Sequence, residues 1–176
     1  ALALRESWRF GPDDRLIHAL PIFHTHGLFV ATNISLLSGS SMYLLPKFEL
    51  DAIVDRFCDS TVLMGEPTFY VRLSQDQRVN RDSTSNMRLF ISGSAPLLAE
   101  THQAFRDRTG HVILERYGMT ETNMITSNPY LGHRIAGTVG LALPDITLRV
   151  VDMDTGEPIS NDQAGILEVK GPNVFK

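Results

Sequence analysis

The chain has 176 residues, 43% of them hydrophobic and 20% charged, the make-up of one large or two small domains around a real core. Its net charge of −4 argues against non-specific binding to nucleic acid or membrane, so an anionic ligand has to be met by local arginines. Cys58 is the only cysteine, which excludes an internal disulfide and points to a reducing, cytoplasmic setting, and no apolar run is long enough to span a membrane.

In chain order, Gly11-Pro12-Asp13-Asp14 marks a turn. Residues 16–20 predict a short buried strand closed by Pro21, and helical spacing over residues 28–37 stops at Gly39. Residues 42–45 predict another strand, and Asp51 is placed to cap a helix through Phe57. Residues 61–64 predict a strand ending at Gly65, after which Pro67 opens a helix carrying Tyr70, Arg72 and Leu73. Residues 75–86 are polar without a hydrophobic period and read as a surface connection. Residues 88–92 predict a buried strand, and residues 97–109 a helix ended by Gly110. Residues 111–114 predict the last strand of the alternation. Residues 147–152 and 166–170, around a turn at Asp154-Thr155-Gly156-Glu157, have the texture of antiparallel β-structure. The fold class is therefore α/β: a mainly parallel sheet flanked by helices over residues 1–138, then a small antiparallel β-subdomain over residues 139–176.

Chemistry concentrates in Glu115-Arg116-Tyr117-Gly118-Met119-Thr120-Glu121-Thr122, read as a loop at the carboxyl end of the strand at 111–114. Ligands bind at such loops in open α/β sheets. A ring can stack on a base, hydroxyls can meet phosphate, and an acid can hold Mg2+. Thr120 and Glu121 could instead cap a helix, but Ser127-Asn128-Pro129 follows without a helical period. Tyr117 alone could be core packing. Arg116, directly after a buried strand, needs an anionic partner, because an unpaired buried charge is costly. Arg72 on a solvated helix face would mean nothing.

Gly93-Ser94-Ala95-Pro96 lets a backbone approach a flat ligand, though by itself it is most simply a tight turn capped by Ser94. His24-Thr25-His26 lacks a third ligand at metal-like spacing; a pocket wall and a hydrogen-bonded structural histidine both remain open. Gly137, Gly140 and Pro144 punctuate a loop that can fold back over a site. Cys58 has no partner that would activate it and is read as a core residue.

Taken together these segments resemble the adenylate-forming superfamily of acyl-CoA synthetases, luciferases and peptide-synthetase adenylation domains. Tyr117-Gly118-Met119-Thr120-Glu121 is similar to its nucleotide loop, Pro21-Ile22-Phe23-His24-Thr25-His26-Gly27 to its histidine motif, and Ser92-Gly93-Ser94-Ala95-Pro96-Leu97 to its adenine turn. Within that superfamily, Glu66-Pro67-Thr68-Phe69-Tyr70-Val71-Arg72-Leu73, the runs from Leu89 to Leu97 and from Glu115 to Met124, and Glu168-Val169-Lys170-Gly171-Pro172-Asn173-Val174-Phe175-Lys176 resemble malonyl-CoA synthetases (malonate–CoA ligases).

The resemblance implies an acid–thiol ligase using ATP, Mg2+ and coenzyme A. A carboxylate attacks the α-phosphate, pyrophosphate leaves, and the thiol of coenzyme A then displaces AMP. Carried over, Tyr117 stacks on adenine, while Gly93, Ser94 and Ala95 shape its pocket. Glu115, Arg116, Gly118 and Met119 complete the nucleotide-side set. Thr120 contacts phosphate and Glu121 holds Mg2+; with His24, these are the implied catalytic residues. His24 borders the acyl and pantetheine channel, with His26 a weaker candidate, and Ser92 lies on the substrate side. The superfamily places a small residue before the loop tyrosine when the acyl group is apolar. Arg116 stands there instead, which suits a second carboxylate, and Arg72 is its expected partner.

The resemblance also implies missing parts. The phosphate loop would lie before Ala1 and the ribose-binding aspartate beyond Lys176, as would a C-terminal domain with its catalytic lysine. The chain opens at Ala1 and stops directly after a strand-like run, so an internal fragment without ligase activity of its own is expected. The alternatives are a generic short- or medium-chain acyl-CoA synthetase and a non-catalytic nucleotide-binding domain of the same fold.

Overall fold

The main sheet has seven strands in this computed structural model, which describes residues 1–160 and 163–175. They are β1 (Arg15–His18), β2 (Ser41–Leu44), β3 (Val62–Gly65), β4 (Leu89–Ser92), β5 (Leu114–Met119), β6 (Asn123–Ser127) and β7 (Leu141–Ala142), in the spatial order β2-β1-β3-β4-β5-β6-β7. The strands from β1 to β5 pair in parallel, while β6 and β7 add antiparallel neighbours. Every residue of β3 and β4 is buried, which is why they read as continuous apolar runs rather than alternating ones.

The flanking helices are α1 (Leu2–Ser7), α2 (Asn33–Ser38), α3 (Leu50–Val54), α4 (Pro67–Gln75) and α5 (Ala99–Thr109). The packing of α4 on α5 centres on aromatic rings. Phe105 meets Tyr70 edge-on at 5.3 Å and Phe90 of β4 at 4.9 Å. At the start of the chain, Trp8 is fully buried and its indole N–H donates to Ser127 Oγ on β6 at 2.9 Å. A separate antiparallel pair, β8 (Thr147–Val151) and β9 (Ile166–Lys170), follows the main sheet. Asn161, Asp162 and Lys176, which fall within the expected β-subdomain, lie outside the described residues.

The α/β alternation, the antiparallel tail and the stops at Gly39 and Gly110 match expectation; both glycines take left-handed backbone conformations. Other elements differ. The helix expected over 28–37 starts earlier, as a π-helical stretch at His26–Thr32 that continues into α2. Gly27 permits this entry, because a Cβ there would lie 2.1 Å from the Pro21 carbonyl oxygen. Asp51 sits inside the first turn of α3 rather than at its cap, and a separate 3-10 turn holds Phe57–Asp59. Phe57 takes the core position there and Cys58 is exposed, which corrects the reading of the cysteine as buried.

The polar connection at 75–86 is anchored by the fully buried Val79 and Thr84; a single buried apolar side chain leaves no period to detect. The short α1 had no counterpart among the predicted elements. The largest difference is at residues 115–119, expected as a loop. They belong to β5, which leaves its parallel partner at Ser92↔Glu115 and turns back as a hairpin with β6, with a bulge between Tyr117 and Gly118.

Candidate functional site

Because β1, β3, β4 and β5 run parallel, the segments following β1 and β4 and the outer half of β5 meet at one edge of the sheet. Three stretches remote in sequence touch there. His26 Nδ1 lies 3.1 Å from Ser94 Oγ, and Thr25 Oγ1 lies 3.4 Å from Thr120 Oγ1. Gly93 faces Arg116 so closely that a Cβ would stand 2.3 Å from its Cζ. Ser94 holds a left-handed conformation at φ +73, a strain of the kind found where a side chain must be aimed.

Two cavities share Ser94, Arg116 and Gly118. The larger, about 380 Å3, is also lined by Ser92, Ala95, Pro96, Leu97, Glu115, Tyr117, Gly137 and Val139. The smaller, about 250 Å3, is bordered by His24, Thr25, His26, Met119, Thr120, Glu121 and Met124. Tyr117 is 37% exposed, and Thr120 and Glu121 are exposed at the rim.

Arg116 dominates the electrostatics. It is 4% exposed, and neither its Nε nor its Nη2 has a hydrogen-bond partner among the described residues. Burial pushes its pKa down to about 10, partly offset by the nearby Tyr70 hydroxyl, so it remains a cation at neutral pH. His26 is 2% exposed, and its Nε2 is also without a partner. Burial first, then the Arg116 charge, holds this imidazole well below the ordinary histidine range, in its neutral form. Ser92, 1% exposed, adds a fourth buried polar atom at the site, its Oγ, without a partner among the described residues. Buried polar groups are normally satisfied, and orphans gathered around one cation mark a place for a polar, negatively charged ligand.

The expected site residues are distributed unevenly. Gly93, Ser94, Ala95, Glu115, Arg116, Tyr117, Gly118, Met119, Thr120, Glu121, His24 and Ser92 are drawn together at these cavities. His24 is exposed, its Nδ1 accepting from the His26 backbone N–H, whereas His26, ranked lower by sequence, is the buried histidine of the pair. Arg72 is exposed with its guanidinium over the Phe48 ring at 4.5 Å, and it lines neither cavity containing Arg116. Sequence reasoning missed Thr25 and Val139; Gly137 was signalled only as loop punctuation.

No cluster of three or more His, Cys, Asp or Glu among the described residues could enclose a metal ion. The lone exposed carboxylate of Glu121 fits a Mg2+ that takes its other ligands from phosphate and water. No helix among the described residues is long and apolar enough to cross a membrane.

The sequence model described as AMP-binding enzyme matches residues 1–176. The chain belongs to the AMP-binding enzyme family. Within the family it is 37% identical to a malonate–CoA ligase of Arabidopsis thaliana, over 98% of this chain and 31% of the relative. It superposes on the crystal structure of ATP-bound MatB from Rhodopseudomonas palustris with a TM-score of 0.98 and 60% identity, covering 99% of this chain and 35% of that one. A malonyl-CoA ligase with methylmalonyl-CoA and AMP bound gives a TM-score of 0.89 at 35% identity, over 99% of this chain and 38% of that one. The chain thus spans about a third of the length of the relatives it matches.

Proposed function

We propose that the chain is part of an ATP-dependent acid–thiol ligase that activates malonate, or its methyl-substituted homologue, and transfers the acyl group to coenzyme A. The observation that carries this reading is the buried guanidinium of Arg116, which lines both cavities and is unpaired at Nε and Nη2 among the described residues. An apolar acyl chain would leave that charge uncompensated, at a cost of several kcal/mol, roughly 3–5. A second carboxylate satisfies it through charge-assisted hydrogen bonds. The similarity to a malonate–CoA ligase and a malonyl-CoA ligase supports the same substrate class.

In this reading one carboxylate oxygen of the acid attacks the α-phosphorus of ATP, forming an acyl-adenylate as the bond to pyrophosphate breaks. The sulfur of coenzyme A then attacks the acyl carbon, a thioester forms, and AMP leaves with the bonding pair. Tyr117 offers its half-exposed ring to adenine, and Gly93, Ser94 and Ala95 leave room for the base. Thr120 contacts phosphate. Glu121 would hold Mg2+, which would supply charge neutralisation at the phosphates. Arg116 holds the distal carboxylate, which orients the reacting one. His24 borders the acyl channel from the rim, and Ser92 and neutral His26 offer further polar contacts. Arg72 joins this set only if α4 presents it differently with substrate bound. A reducing compartment such as the cytoplasm suits the single exposed cysteine.

A pyrophosphate-release panel on the complete protein, with malonate, methylmalonate, acetate and octanoate, tests the assignment. Turnover with the two dicarboxylates and little with acetate or octanoate is expected. Equal or better turnover of octanoate would contradict it.

A further inference from the structure

Glu115 and Arg116 are adjacent and both buried, yet they do not neutralise each other in the structure. Successive strand residues leave opposite faces of β5. Arg116 goes toward Gly93, while the Glu115 carboxylate meets a histidine of α5. Glu115 Oε1 lies 3.0 Å from His102 Nδ1 and also 3.0 Å from the backbone N–H of Gly137. His102 is 3% exposed and Glu115 6%. An oxygen that accepts the Gly137 N–H takes its second bond from a protonated Nδ1, so the pair fixes both the imidazole tautomer and the carboxylate rotamer.

Gly137 lines the larger cavity together with Ser94 and Tyr117. Its φ of +76 sits in a loop otherwise held by buried Asn128. The Asn128 side-chain amide donates to the carbonyls of Glu115 and Thr138, and its oxygen accepts the Ile135 N–H. Asn128 therefore ties the loop on either side of Gly137, while the Gly137 N–H donates, among the described residues, to Glu115 alone.

We propose that His102 is a positioning residue for the nucleotide side of the site: through Glu115 it sets where the Gly137 wall stands against the cavity. The assignment rests on the ligase reading and adds a residue that touches neither substrate nor cofactor. Its geometry distinguishes two conservative replacements. An asparagine at 102 can place an N–H where Nδ1 now lies, whereas a glutamine or leucine cannot.

The test is steady-state kinetics of the complete protein with H102N, H102Q and H102L. H102L and H102Q are expected to raise the KM for ATP about tenfold while leaving the KM for the carboxylic acid within about twofold, with H102N near wild type. An unchanged KM for ATP in H102L and H102Q, or equal losses in all three variants, would overturn the proposal. Amide hydrogen exchange at Gly137 without substrate gives a second readout, independent of ligase activity. Faster exchange in H102Q than in H102N is expected, and equal exchange would overturn the proposal even in a fully active enzyme. Absence of any acid-dependent ATP turnover in the wild type would defeat the ligase reading and leave the exchange result standing.

Discussion

At the scale of single residues, Arg116 and Gly93 set the terms of the site. The guanidinium is buried with Nε and Nη2 unpaired among the described residues, so the ligand-free protein carries a cost that ligand binding relieves. Two outcomes follow from mass action. Malonate should raise the melting temperature of the wild-type protein, and Arg116→Met should melt higher than wild type without ligand while losing the malonate-induced rise. Thermal unfolding with and without malonate checks both. Gly93 is required by proximity rather than by backbone freedom. The three atoms nearest an added Cβ all belong to the Arg116 side chain, Cζ, Nε and Nη1 at 2.3 to 2.6 Å. That side chain can swing aside, so Gly93→Ala should change the melting temperature little. Its KM for malonate should rise on the order of tenfold to a hundredfold, the usual cost of misplacing a positioning group by an ångström.

At the scale of elements, the β5–β6 hairpin carries the chemistry, and β7 closes it. Gly140, at φ +79, packs where a Cβ would stand 2.1 Å from the Ser127 carbonyl carbon and oxygen. Backbone atoms cannot yield as a side chain does, so Gly140→Ala should destabilise the protein by more than the roughly 1–3 kcal/mol of backbone strain alone. A lower denaturation midpoint in urea at unchanged m-value is the check. The hairpin also shows where sequence reading stops. The buried strands β3 and β4 were legible because burial on both faces demands continuous apolar runs, and Pro67, Gly39 and Gly110 punctuate helices through their own backbone chemistry. Glu115 to Met119 lacked any strand pattern because these residues are chosen for the cavity they line, and sheet pairing is supplied by the backbone whatever the side chains are. The chemistry of that stretch was therefore visible while its structure was not. His102 left no signal at all: a histidine in a helix is uninformative until the fold brings Glu115 to it. The burial of His26 rather than His24 depends likewise on the π-helical entry at Gly27, which no local pattern announces.

At the scale of the whole molecule, one ion pair fastens the ends of the strands opposite the site. Arg88 Nε and Nη2 donate to the Asp14 carboxylate at 2.7 Å each, and Gly11 N–H and Thr61 Oγ1 complete its shell. Burial acts to raise the Asp14 carboxyl, but the bonds from Arg88, Gly11 and Thr61 outweigh it and hold the group below its ordinary value. A depressed carboxyl stabilises the fold above the unfolded-state pKa, about 3.9, and that contribution is lost as pH falls through the folded-state value. Asp14→Asn should therefore cost roughly 1–3 kcal/mol at neutral pH and show a shallower loss of stability on acidification than wild type. Melting curves from about pH 7 down to about pH 3 measure this. With that face fastened, the opposite edge of the sheet presents Arg116 in a fixed place, and the proposed specificity depends on it. The most direct test compares wild type with Arg116→Ala in the complete enzyme, measuring pyrophosphate release with malonate and with acetate. The account predicts that the variant loses about a hundredfold or more of the malonate preference in kcat/KM, whereas a preference equal to that of the wild type would contradict it.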